Sequence, residues 1–179
     1  MNILSLDLDI FFPCHKYEKY IFYDIPPEKA WKVIDTLEIE YFPDGEKIYK
    51  VLELVKTIPL DKRVIITQHD EILEILKNLK DINLYNFDYH HDMGYKNFSY
   101  KINQGNWVLF AREEKLIRNY YWIHTELSDP PIHIPFKYEK YNILDNIEFP
   151  KFDMLIIVIS PYYTPQKYWK LAKMFKEEV

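Results

Sequence analysis

The chain has 179 residues, a formal net charge of −5 and a single cysteine, Cys14. This length suits one domain, 1–179, with a substantial core; the negative charge leaves no electrostatic footprint for nucleic acid, and one cysteine excludes an intrachain disulfide framework. No apolar run approaches the ~20 residues of a membrane-spanning helix, and the opening MNILSLDLDIFF carries two acids and no basic segment, so it does not read as a signal peptide and the expectation is a cytoplasmic protein.

Asn2 to Phe12 reads as a buried strand stopped by Pro13, and residues 14–25 read as irregular. Pro26-Pro27 opens a helix, Glu28 to Leu37, because proline is tolerated in a first turn. The Pro-Asp-Gly turn at 43–45 leads into an amphipathic helix, Glu46 to Thr57. Arg63 to Thr67 is a short apolar strand ending at Gln68-His69-Asp70, and Glu71 to Leu79 follows as a helix. Ile82 to Phe87 is the next strand and ends at Asp88-Tyr89-His90-His91-Asp92.

Residues 93–106 read as a loop holding Gly94 and Gly105, Trp107 to Asn119 as a helix and Tyr120 to His124 as a strand. The Pro-rich stretch 125–150 reads as irregular, with a short strand near His133. Asp153 to Ile159 is a buried strand closed by Ser160-Pro161, and Gln166 to Glu178 is the last helix. Strands that alternate with helices predict an α/β domain: three layers, α-β-α, around a mostly parallel sheet.

The polar candidates Asp7, Asp9, His69, Asp88, His90 and Asp92 all fall at the carboxyl ends of these strands, where open α/β sheets build their sites. Residues i, i+2 and i+4 of a strand share a face. On that reading Asp88, His90 and Asp92 project together, and so do Asp7 and Asp9. Carboxylates gathered beside a core are costly unless a cation pairs with them, and neither Lys nor Arg stands nearby in sequence. Carboxylate with imidazole suits manganese and related divalent ions. Zinc-only structural sites prefer Cys and His. Six ligands fit two ions, which at a separation of about 3.5–4 Å lower the pKa of a shared water toward neutrality.

Here the residues carry a family resemblance. Ser5-Leu6-Asp7-Leu8-Asp9, Asp88-Tyr89-His90-His91-Asp92 and the lone His69 after a strand resemble the motifs of the arginase/deacetylase superfamily, the binuclear manganese ureohydrolases in particular. The resemblance implies an arginase-like fold with two Mn2+ ions at the carboxyl ends of the strands. His69 and Asp92 would hold one ion and His90 and Asp9 the other, with Asp88 and Asp7 bridging. It also implies that Asp92 orients the attacking water.

In ordinary arginases the Asp-x-Asp strand comes late in the chain; here it comes first, and the chain is short. That permuted order looks like a small arginase-related branch that includes the peptide arginases, which convert arginine side chains of ribosomally made precursor peptides to ornithine with release of urea. Gly105-Asn106-Trp107 and Ile159-Ser160-Pro161 also look like this branch. One position departs. Ordinary arginases carry a Glu on the last strand to pair with the guanidinium, and Val158 stands there instead. Glu71, Glu126 and Asp129 are the candidate replacements.

Asn106 and Trp107 are expected to line the substrate cleft, and His124 or His133 to carry a proton to the leaving amine. His91 faces away from its neighbours and is expected to play a structural part. Two other readings stand beside the peptide arginase: a ureohydrolase, amidinohydrolase or deacetylase of small molecules, and a catalytically silent binding module with the same fold. The chain has no Gly-rich phosphate loop, so nucleotide use is not expected.

Overall fold

The computed structural model describes residues 1–94, 101–131, 134 and 136–177. Among the described residues six strands form one sheet in which every neighbouring pair is parallel. They are β1 (Asn2–Asp7), β2 (Arg63–Ile66), β3 (Ile82–Phe87), β4 (Ile117–His124), β5 (Glu139–Asn142) and β6 (Met154–Val158), in the spatial order β2-β6-β1-β3-β4-β5. The helices are α1 (Pro27–Asp35), α2 (Gly45–Val55), α3 (Ile72–Leu76), α4 (Trp107–Glu113) and α5 (Lys170–Glu177). Among the described residues no helix is long and apolar enough to cross a membrane.

The period-2 alternation of β1 divides the core. Leu4 and Leu6 pack on one face with Trp31 and Ile34 of α1, Val51 and Val55 of α2, and Ala172 and Phe175 of α5. Ile3 packs on the other with Ile72, Leu73 and Leu76 of α3 and Val108 and Ala111 of α4. Helices thus cover both faces, the three-layer α/β arrangement that near-continuous apolar strands require. Arg63 ties two helix ends to the sheet edge: its buried guanidinium donates to the carbonyls of Val55, Ile58 and Phe175 at 2.7–3.0 Å.

The chain leaves β1 toward the α1–α2 layer and leaves β3 toward the α4 layer. The neighbouring strands β1 and β3 therefore form a topological switch point, the place where an open parallel sheet has a crevice beyond its carboxyl edge. Leu6 lies level with Phe87, so the next residues, Asp7 and Asp88, stand side by side at that edge.

Several element bounds differ from the sequence reading. β1 stops at Asp7 rather than at Phe12, and Leu8–Phe11 is a 3-10 turn. The cause is local: Asp7 Oδ1 accepts the N–H of Asp9 at 3.1 Å, an Asx turn that takes the chain off the ladder. β3 ends at Phe87, and Asp88 Oδ1 accepts the N–H of His90 at 2.8 Å by the same device. Asp9, His90 and Asp92 are therefore not strand residues, and strand alternation is not what gathers them.

The helix expected to run to Asn119 ends at Glu113. Lys115 adopts a left-handed φ of 56° and Leu116 N–H donates back to Ala111, a Schellman-type stop. Residues 117–119 then begin β4. The stretch 125–150 holds the edge strand β5, and α5 starts at Lys170 after a 3-10 turn at Gln166–Tyr168. The strand expected near His133 and the helix end at Glu178 lie outside the described residues.

Candidate metal centre

The site grows from four chain segments at the sheet's carboxyl edge. β1 delivers Asp7 and, through its Asx turn, Asp9. The turn after β3 delivers Asp88 and His90. Asp92 follows with a left-handed φ of 53°, a conformation Asp tolerates better than most residues. His69 begins the 3-10 turn between β2 and α3, and Ser160 follows β6 with φ 46°. Such strain in two residues of one crevice is typical of functional sites.

His69 Nδ1 lies 3.2 Å from Asp7 Oδ2, 3.1 Å from Asp88 Oδ2 and 3.0 Å from Asp92 Oδ2. All four residues are buried. Yet this nitrogen is aligned for a hydrogen bond with none of the three oxygens. A buried nitrogen aimed between three carboxylates is the arrangement expected of ligands converging on one ion. The other ring nitrogen explains the orientation: His69 Nε2 pairs with Ser5 Oγ at 2.9 Å. When that nitrogen carries the proton, Nδ1 presents its lone pair to the carboxylates.

A second group adjoins the first. Asp9, Asp88 and His90 bring ligand atoms within 4.8 Å of one another, and His90 Nδ1 is 2.8 Å from Asp9 Oδ2. His90 Nε2 lies 3.5 Å from Glu18 Oε2, so this ring too has an acceptor behind it. Asp88 belongs to both groups. The buried Asp/His cluster can hold a metal ion: its donors are hard oxygens and imidazole, its rings are set by outer partners, and its charge lacks compensation.

The lack of compensation is visible in the acid strengths. Burial, then the neighbouring charges of Asp92 and Asp7, pushes Asp88 up to about 7. Burial and Asp88 push Asp9 up to about 6. Burial, with Asp9, also raises Asp7. Burial opposes a charge on His69 and His90, but the facing carboxylates outweigh it and both rings are raised. A divalent cation reverses this balance by favouring deprotonated carboxylates and neutral imidazoles.

Outer contacts fix the carboxylates. Trp107 Nε1–H donates to Asp92 Oδ2 at 2.6 Å, and the indole lies 4.7 Å from the His69 ring. Ser160 Oγ donates to Asp7 Oδ2, and Asn86 Nδ2 to Asp88 Oδ2 at 3.0 Å. If Asp92 is a ligand, Trp107→Phe lowers manganese affinity by roughly 10–100-fold while the fold persists. Manganese titration against a competing chelator measures this, and an unchanged affinity would remove the indole from the centre's support.

The six ligand candidates all line one cavity of about 770 Å³. Most of the other expected residues do not reach it. Glu71 is exposed, and its carboxylate accepts from the N–H groups of Thr67 and Gln68, capping the turn before α3. Asn106 is buried and braces its own loop, accepting from Asn103 N–H and donating to the Lys101 carbonyl. Trp107 is fully buried behind Asp92 rather than on the wall. His124 pairs with the Thr125 carbonyl at 2.7 Å, and its ring lies 4.8 Å from that of Trp122, tilted by 37°. Glu126 is exposed near Lys47, and Val158 is buried. Asp129 does line the cavity. His133 lies outside the described residues. His91 is buried, and its Nδ1 accepts from Met93 N–H.

Sequence reasoning missed Glu18, Tyr23, Tyr163 and Ser160, all on the cavity wall. Ser160 stands in the sequence as a strand stop and within the Ile159-Ser160-Pro161 resemblance, with no site role of its own. Its hydroxyl meets a carboxylate 153 residues away, a pairing that no local pattern announces. Comparison with known proteins gives no match among family models, curated sequences or solved structures.

Proposed function

We propose that this chain is a binuclear, manganese-dependent hydrolase of the ureohydrolase type that converts arginine side chains in a precursor peptide to ornithine and urea. The single observation that carries the reading is the buried Asp88 carboxylate shared by two ligand groups, one around His69 Nδ1 and one with Asp9 and His90. On this reading Asp7, Asp88, Asp92 and His69 hold one ion, and Asp7, Asp9, Asp88 and His90 the other. Four carboxylates with two imidazoles favour manganese over zinc. Bound there, the ions supply a water that is acidic at neutral pH and a positive field for developing negative charge.

The remaining work falls to the chain. The net reaction joins the water oxygen to the guanidinium carbon, breaks the bond from that carbon to the ornithine nitrogen, and returns a proton to that nitrogen. Asp92, held by the Trp107 indole, is the carboxylate set to orient the water. His124 is not on the wall, so the proton for the leaving nitrogen comes from a wall group or from solvent. Two carboxylates beyond the ligand set, Glu18 and Asp129, keep the cavity acidic once the ligands are neutralised, which suits a cationic substrate.

A peptide is favoured over free arginine by the size of the cavity and by its rim. Tyr23 is well exposed, and its ring lies 5.2 Å from Tyr162 and 6.4 Å from Tyr163, an aromatic ledge beside the acidic wall. The test is urea release by manganese-loaded protein from arginine-containing peptides, with the ornithine product read by mass spectrometry. Turnover of free arginine or agmatine without peptide turnover would assign a small-molecule substrate. Release from none of them would end the ureohydrolase reading.

A further inference from the structure

A guanidinium at this centre needs an anionic partner, and the last strand offers none. Val158 is buried in the layer of α3 and α4 and does not reach the cavity. The wall's own inventory narrows the choice. Lys19 is exposed, and its ammonium sits 5.1 Å over the Tyr20 ring. Tyr89 donates its hydroxyl hydrogen to the Leu127 carbonyl at 2.8 Å, and the hydroxyls of Tyr23 and Tyr163 pair with each other. On the acceptor side, Gln104 Oε1 is buried with no hydrogen-bond partner, and Glu18 and Asp129 bring two carboxylates. A surplus of acceptors matches a group that only donates, and a guanidinium carries five N–H donors and no acceptor.

Position separates the two carboxylates. Asp129 is exposed. Glu18 is half-buried, and its Oε2 lies 3.5 Å from His90 Nε2, next to a ligand candidate of the centre. It is also held firmly. The preceding Tyr17 is fully buried, and its hydroxyl donates to the Tyr163 carbonyl at 2.6 Å, pinning the 3-10 turn Glu18–Tyr20 against the crevice.

Building on the ureohydrolase reading, we propose that Glu18 determines specificity: its carboxylate pairs with the guanidinium of the substrate, with Gln104 Oε1 accepting a further N–H. The β1–α1 connection then supplies the partner that the last strand lacks.

The test compares manganese-loaded wild type, Glu18→Gln and Glu18→Asp for metal content and for binding of an arginine peptide and its citrulline counterpart, which has a neutral urea in place of the guanidinium. Binding is read calorimetrically at low temperature, and KM and kcat are read where urea is released. Wild type is expected to prefer the arginine peptide. Glu18→Gln should lose that preference, by roughly 10–100-fold, read as weaker binding and a higher KM for the arginine peptide, and Glu18→Asp should keep part of it. Glu18→Gln retaining the full preference overturns the assignment. So does loss of metal in that variant, which would make Glu18 a support for His90 alone. If wild type releases no urea but its arginine preference disappears in Glu18→Gln, the ureohydrolase reading falls and the Glu18 assignment stands. If wild type shows no preference, the Glu18 assignment falls whether or not urea appears.

Discussion

Asp88→Asn is expected to strip the centre of both ions, not one. The carboxylate belongs to both ligand groups, with Oδ2 3.1 Å from His69 Nδ1 and the residue also grouped with Asp9 and His90. An amide of the same shape offers one oxygen, no charge, and an NH2 group that faces a cation unfavourably. Loss of a supporting residue alone costs roughly 10–100-fold in metal affinity, so loss of a shared ligand should cost more. Elemental analysis after manganese loading and desalting should find about two ions per chain in wild type and far less than one in the variant. Urea release should vanish with them.

The fold should not suffer. In the metal-free protein Asp88 is pushed up to about 7 by burial and by the charges of Asp92 and Asp7. Removing it relieves that repulsion, so metal-free Asp88→Asn should melt at or above the temperature of metal-free wild type at pH 8. A general structural role for Asp88 predicts the reverse, a lower melting temperature with or without metal. Equal metal content in the two proteins would show that the acidic segments do not share an ion, and the silent binding module would become the better reading.

The gathering of acids and histidines was legible in the sequence, but for a partly mistaken reason. Acids and histidines two residues apart after apolar runs drew attention to Asp7, Asp9, Asp88, His90 and Asp92, and the structure does bring them together. Strand alternation does not do it. Each cluster begins where an Asp side chain captures the N–H two residues on and turns the chain off the sheet. An Asx turn and a strand can share one sequence pattern, because both present alternate residues near one point. The tertiary device that unites the clusters, neighbouring β1 and β3 with Leu6 level with Phe87, is a matter of strand order that local pattern does not record.

Where signal and structure diverge, the missing information is tertiary or conformational. β3 was expected at Ile82–Phe87 and is found there, with Ile82, Leu84 and Phe87 as its buried apolar side chains. β5, Glu139–Asn142, is an edge strand with exposed and half-buried side chains and no such run. The end of α4 depends on Lys115 taking a left-handed conformation more often marked by Gly or Asn. The candidate substrate residues were the least legible. Asn106 and Glu71 carry suggestive chemistry but satisfy their own loops. Glu18 sits in a stretch read as irregular and gains significance only through its distance to His90.

Metal should stabilise this protein more as pH rises. Asp9 and Asp88 move from an ordinary 3.8 to about 6 and about 7 in the folded, metal-free chain. Between those limits the native state binds more protons than the unfolded state, so stability falls as pH rises. His69 and His90 are raised above 6.5, so their contribution is full below 6.5 and is lost as pH climbs through the raised folded values. His91 opposes this trend: burial, then the charge of His90, lowers it to about 4, which adds stability as pH rises from about 4 to 6.5. It is one group against five, since Asp7 is raised as well.

Metal-free protein should therefore lose melting temperature from about pH 5 to pH 8. Manganese binds the deprotonated carboxylates and neutral rings and removes the penalty. With free metal near a thousand times Kd, the gain is about 4 kcal/mol, or roughly 8–16 °C for a domain of this size. Calorimetry with and without manganese should show that gain at pH 8 and little of it at pH 5. A gain that is constant or shrinks with pH would mean that manganese stabilises the chain somewhere other than through Asp9, Asp88 and the two histidines, because only groups that must shed protons to bind it can give the difference this slope.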